Sequence, residues 1–278
     1  MSLEVLDDLS LHEVFKHCDV ESLDFLRVVC SRFNALIDTY RHWYSKHEVL
    51  KLIIEKRPNG STIFECQDTP VIRNNESLTR KRYSYLKVEG SIKHLISQLN
   101  PRWLTSNENE ELCKMHPQWW NDRKKIEIHD TENYEKYLPH FRNCSSLILK
   151  SSKTINLGKV LNHMSSVSYL ELKSDVDCEE DNFDKLINMT KNFKSLRLHT
   201  SSKSKVTTNT ILKIIEKSQF KPGRATLLFS RIYTTENELK EKLRRSGRVD
   251  YCNCYVKCIL IRLFEPVEIV LSFDELVF

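Results

Sequence analysis

Glycine is scarce in this chain: there are five in 278 residues, at positions 60, 90, 158, 223 and 247. None stands in a G-x-G-x-x-G or G-x-x-x-x-G-K-[ST] run, so the sequence offers no loop whose backbone amides could close around a phosphate. Long apolar runs are lacking too, with nothing near the roughly 18 residues that a membrane helix needs. The opening stretch MSLEVLDDLSLHEV is acidic where a signal peptide would be basic. These features predict a protein of the cytoplasm, the nucleus or both, with no membrane partner. A dominant charge is absent as well. The 43 basic residues face 38 acidic ones and the net charge of +5 is spread along the chain, which is too slight an excess to imply nucleic acid.

The nine cysteines, at 18, 30, 66, 113, 144, 178, 252, 254 and 258, are odd in number and scattered. That pattern reads as reduced thiols, not as a disulfide framework. Cys252, Cys254 and Cys258 have no C-x-x-C pair or nearby histidine to supply zinc spacing, and on one strand they would all point to one side, as core residues do. No nucleophile motif surrounds any of the cysteines or histidines. The sequence therefore predicts no catalytic residue, no metal and no cofactor.

What the chain does have begins at its N-terminus. Leu11, Val14, Phe15 and Cys18 fall at i, i+3, i+4 and i+7, one apolar face of a short helix. Asp19 then offers an N-cap carboxylate, with Glu21 in the first turn of a second helical run. That run is apolar on two sides: Leu23, Leu26, Cys30, Phe33 and Ile37 form one row, and Phe25, Val28 and Val29 another. About 40 residues are too few to hide both rows, so a partner is expected.

The order Leu6, Asp7, Asp8, then Leu11, Val14-Phe15, Cys18, Leu23, Val28-Val29-Cys30, Arg32-Phe33, Leu36 and Trp43 resembles the F-box, the adaptor-binding module of cullin-based ubiquitin ligases. Asp7 stands where that family usually has proline. The resemblance implies a non-catalytic substrate receptor of an SCF-type ligase. Its F-box would dock on a Skp-family adaptor, and through it on a cullin, with Leu6, Leu11, Val14, Phe15, Leu23, Val28, Cys30 and Trp43 as adaptor-binding residues.

Beyond residue 48 the reading is of a connecting region over 49–122 and a larger domain over 123–278. In the former, β-prone runs flank Asn59-Gly60, a hairpin signal near 49 to 67. A polar loop follows, then a strand from Tyr83 to Glu89 and a helix from Ser91 to Leu99 stopped by Asn100-Pro101. Trp103, Trp119 and Trp120 read as packing residues.

From residue 123 a repeat is visible. Ile126-x-Ile128, Leu147-x-Leu149, Leu170-x-Leu172 and Leu196-x-Leu198 are spaced 21, 23 and 26 residues apart. Helix signals accompany them, at Leu157, Val160, Leu161 and Met164, at Phe183, Leu186, Ile187 and Thr190, and at Ile211, Ile214 and Ile215. This resembles a degenerate leucine-rich-repeat solenoid, with Ser152, Asp175 and Ser201 at the ladder positions and a β-rich cap after Tyr251. The expected fold class is α+β: a small helical F-box followed by a leucine-rich-repeat-like β/α solenoid with parallel strands. Alternation sends the residues between the leucines to the open sheet face. There His129, Lys150, Lys173 and His199 would stack as a basic column beside Tyr169 and Arg197, the expected binding surface for an acidic or phosphorylated protein segment.

Overall fold

The computed structural model describes residues 3–40, 44, 47–56, 62–68, 82–86, 99–107, 110–113, 115, 120, 124–201 and 204–277. The chain divides into two compact units, residues 1–104 with 109–122, and residues 105–108 with 123–278.

The first unit opens on a 3₁₀ turn, Leu3–Val5, and three helices: α1 (Asp8–Lys16), α2 (Val20–Val29) and α3 (Ser31–Tyr40). Aspartates start the first two. The Asp7 carboxylate accepts from the Ser10 amide and Asp19 from the Ser22 amide, each at 2.7 Å, satisfying backbone donors that a helix start leaves free. Cys30 is extended (φ −147°) and separates α2 from α3 by a single residue. Leu11, Phe15, Leu23, Phe33, Leu36, Ile37 and Tyr44 close a core between the helices, with Leu6, Cys18, Leu26 and Cys30 packed at its margin.

Four strands and a short helix follow: β1 (His47–Lys56), β2 (Thr62–Asp68), β3 (Arg82–Leu86), β4 (Leu99–Asn107), of which residues 105–107 fall in the second unit, and α4 (Glu110–Cys113). The strand order is β4-β1-β2-β3. β1 and β2 are antiparallel with Leu52 opposite Cys66 and Ile54 opposite Phe64, as the hairpin signal requires, while Asn59-Gly60 itself lies outside the described residues. The expected helix from Ser91 needs correction at its end: Leu99, Asn100 and Pro101 belong to β4, and 91–98 lie outside the described residues. Trp120 is buried as expected, Trp103 is exposed, and Trp119 is not among the described residues.

The second unit is a mostly parallel sheet. Its strands are β5 (Lys125–Thr131), β6 (Ser146–Ser151), β7 (Ile155–Asn156), β8 (Val167–Asp177), β9 (Thr190–Thr200), β10 (Gly223–Tyr233), β11 (Val249–Tyr255), β12 (Cys258–Leu263) and β13 (Val267–Val277). Between them run α5 (Leu157–Asn162), α6 (Glu180–Met189), α7 (Thr208–Lys217) and α8 (Glu236–Arg245). Side chains cap them: Asn156 accepts from the Lys159 amide, Thr207 from Thr210 and Thr235 from Glu238.

The repeat leucines set the register. Ile126 and Ile128 lie opposite Leu147 and Leu149, these opposite Leu170 and Leu172, then Leu196 and Leu198, then Leu227 and Phe229, and last Leu271 and Phe273. All but Phe273 are fully buried, at about 1.5–3 kcal/mol each relative to exposure. Helix residues cover this ladder, as where Phe183 of α6 meets Phe229 edge-on at 6.4 Å.

After β10 the pattern changes. β13 pairs parallel with β10 but antiparallel with β12, which forms a hairpin with β11. Lys257 takes a left-handed backbone (φ 57°) in that hairpin turn. The turn corrects the cysteine expectation. Cys252 and Cys254 share the face of Ile261 and Ile259, but Cys258 opposes Tyr255 and lies on the other face. The expected ladder serines are also displaced. Ser174 Oγ accepts from the Ser151 amide and donates to the Ser151 carbonyl, and Ser204 Oγ donates to the Val176 carbonyl and accepts from the Cys178 amide.

Candidate functional site

On the helical module, the two apolar rows of α2 separate. Leu23 faces the core, whereas Phe25 (69% exposed), Val28 (85%) and Val29 lie bare on the other side. Leu9 and Val5 are exposed too, and Val14 partly so. Three exposed apolar residues at i, i+3 and i+4 on one helix face form the kind of surface that a partner covers.

This sorts the expected docking residues. Val28 and Val14 are accessible, Leu6 and Cys30 half-buried, and Trp43 lies outside the described residues. Leu11, Phe15 and Leu23 are fully buried inside the module. Their expected contact with a partner is corrected here, because α3 supplies enough apolar surface to enclose them: Phe15 packs edge-on against Phe33 at 5.5 Å and Tyr44 at 6.0 Å.

Tyr44 is the residue that periodicity missed. Its hydroxyl shares a 2.7 Å hydrogen bond with His12 Nδ1, and burial pushes the phenol up to about 12. Two arginines lock the helices from outside. Arg32 donates to Asp8 and to the Leu6 carbonyl, and Arg27 to Asn34 and Asp38.

On the second unit, the residues between the ladder leucines lie on the opposite sheet face, where Ile148 and Glu171 are themselves buried. His129, Lys150, Lys173 and His199 each follow a paired ladder residue, Ile128, Leu149, Leu172 and Leu198, but the pairing turns irregular just beyond it, between Ile128 and Thr131 and between Leu172 and Val176. The charge of the expected column is not unopposed either. Lys150 lies 2.6 Å from Asp130, Lys173 3.5 Å from Glu171 and His129 3.7 Å from Glu127. Asp130 reaches Lys150 from a left-handed backbone (φ 53°), a conformation aspartate tolerates better than most residues.

The adjacent row is more enclosed. Glu171 is only 7% exposed and accepts from the Tyr169 hydroxyl at 2.6 Å, with Arg197 3.8 Å away. Burial and the Glu171 hydrogen bond push Tyr169 up to about 12, so the phenol stays a donor at physiological pH. Arg197 Nε and Ser195 Oγ are buried without a hydrogen-bond partner among the described residues.

Glu127 anchors the other end of this face. His129 at 3.7 Å, Lys125 at 2.6 Å and the Thr105 hydroxyl at 3.2 Å hold its carboxyl down at about 2 from an ordinary 4.5. The folded protein therefore keeps it ionised to lower pH than the unfolded chain does. The stabilisation is complete above about pH 4.5 and is lost as pH falls toward 2, on the order of 3 kcal/mol in all. In Glu127→Gln that acid-dependent share should vanish. Denaturation curves at pH 6 and pH 3 should show wild type losing its advantage over the variant; an unchanged gap would mean that Glu127 is not so held.

Among the described residues, no helix is long and apolar enough to cross a membrane. Residues 3–45 match the family model for the F-box domain. No curated protein and no solved structure matches the chain.

Proposed function

We propose that this F-box protein is the substrate-recognition subunit of an SCF-type ubiquitin ligase. The three N-terminal helices dock through Phe25, Val28 and Val29 on a Skp-family adaptor, which links them to a cullin. The second unit holds the protein to be modified. Such a subunit contributes effective concentration and has no chemistry of its own. The observation that carries this reading is the F-box match over residues 3–45, on helices that leave one apolar face of α2 bare.

The parallel β/α units, with their stacked leucines, support reading the second unit as a degenerate leucine-rich-repeat-type receptor that works in cytoplasm or nucleus. The sheet face opposite the ladder leucines would be the substrate surface, with Arg197 and Tyr169 at the centre and His129, Lys150, Lys173 and His199 along one side. An acidic or phosphorylated segment fits there by displacing Asp130 and Glu171 from their lysines, and Arg197 Nε is a donor still to be used.

Purification of the tagged protein from cells tests both halves. A Skp-family adaptor and a cullin should come down together. Adaptor without cullin would favour a scaffold role outside a ligase. Lys150→Glu combined with Lys173→Glu should abolish substrate capture and leave the adaptor bound. Capture that survives this reversal at low salt, where surface charges are least screened, would remove the column from the substrate surface.

A further inference from the structure

At the rim where the parallel strands begin, a shallow recess of about 410 Å³ lies between Ser145, Ser166 and Ser168 on one side and Lys191, Lys194 and Lys221 on the other. It is separate from the column, which follows the leucines further along each strand. Main-chain bonds fix both walls. The Ser168 and Tyr169 amides both donate to the Ser145 carbonyl, at 2.8 and 3.2 Å. Across the recess, the Phe193 amide donates to Gln219 at 2.8 Å and the Lys221 amide to Phe193 at 3.0 Å.

The lysine wall is built by an irregularity. Val167 pairs with Thr190 and Tyr169 with Ser195, so β9 spends more residues than β8 over the same stretch. The extra length is a bulge over 191–194, and Asn192 within it is left-handed (φ 51°). A bulge at the start of a strand re-aims side chains, and asparagine is among the residues that adopt the left-handed backbone most readily.

The charges are also unbalanced. Lys125, Lys150, Lys159, Lys173, Lys213 and Lys242 each have a carboxylate within 3.5 Å. Lys191, Lys194 and Lys221 have none among the described residues, and no acidic side chain lines the recess. Three unneutralised ammonium groups around one concavity repel each other and raise the local concentration of anions. The Ser145 and Ser166 hydroxyls add donors that can turn toward an oxygen, while Ser168 Oγ donates to the Ser145 carbonyl at 2.9 Å. A tetrahedral dianion matches this set, offering several acceptor oxygens to charge-assisted bonds. We infer that the recess is a binding site for a phosphate-bearing ligand.

Calorimetric titration of the full-length protein with inorganic pyrophosphate, and separately with an amide-blocked phosphoserine, tests the site. Saturable one-site binding of at least one probe is expected. Lys194→Ala and Lys221→Ala should each weaken it by about tenfold, while Lys240→Ala on α8 should not. Binding of pyrophosphate alone would identify a free polyphosphate as the ligand type; binding of phosphoserine alone, a modified protein segment. No saturable binding of either probe at low salt, or binding that both lysine variants leave intact, would overturn the inference.

Discussion

Val28→Asp should abolish capture of the Skp-family adaptor without unfolding the helices that carry it. Val28 is 85% exposed on α2 and Phe25, one turn earlier, is 69% exposed, so neither contributes to the core. An aspartate in the last turn of α2 opposes the helix dipole at a cost of about 0.3–1 kcal/mol. Burying the same carboxylate unpaired beneath a partner costs about 3 kcal/mol or more, equivalent to a loss of affinity of roughly hundredfold or greater. The second effect wins, so binding fails while the fold survives. Phe15→Asp cannot make this distinction, since Phe15 is fully buried against Phe33 and Tyr44, and losing it would dismantle the module. Adaptor affinity unchanged in a folded Val28→Asp protein would mean that the bare face of α2 is not the docking surface.

That contrast also shows how far periodicity reaches. Spacing alone identifies the Asp19 cap and the row of Phe25, Val28 and Val29, which are local properties of a 3.6-residue helix, but it runs the other row from Leu23 to Ile37 through Cys30, where an extended backbone ends α2 and α3 begins. Which row is enclosed depends on α3 and on Tyr44, which closes the core from beyond the last described turn of helix. A module of this size can bury one row, and the sequence expectation assigned part of the buried row to the partner.

The second unit repeats the lesson with strands. A period of two and the leucine spacing are enough to line up the buried residues of β5, β6, β8 and β9, because parallel register follows them, but His129, Lys150, Lys173 and His199 stand where that register turns irregular. Their neutralisation was not legible. It depends on the left-handed turn at Asp130 and on Glu171 sharing the face of Lys173 two residues on. The recess of Lys191, Lys194 and Lys221 was hidden for a similar reason: a bulge breaks the alternation on which the reading relies. Cys258 changed face for want of one feature, the turn at Lys257.

The ladder itself should be the most sensitive part of the second unit. Leu196 is fully buried and lies opposite Leu170 on one side and Leu227 on the other. Leu196→Ala removes buried methyl groups and leaves a cavity between two rigid strands that cannot close on it, at an expected cost of about 3–5 kcal/mol. That is a large share of the roughly 5–15 kcal/mol typical of a whole domain. Leu228 is the comparison, one residue from Leu227 but on the opposite face and only partly buried; Leu228→Ala should cost less, about 1–2 kcal/mol. In urea, the far-ultraviolet circular dichroism midpoint should fall sharply for Leu196→Ala and much less for Leu228→Ala. Equal losses for the two leucines would show that helices do not cover one face of the sheet alone, and the opposite face proposed for substrate would have to be given up.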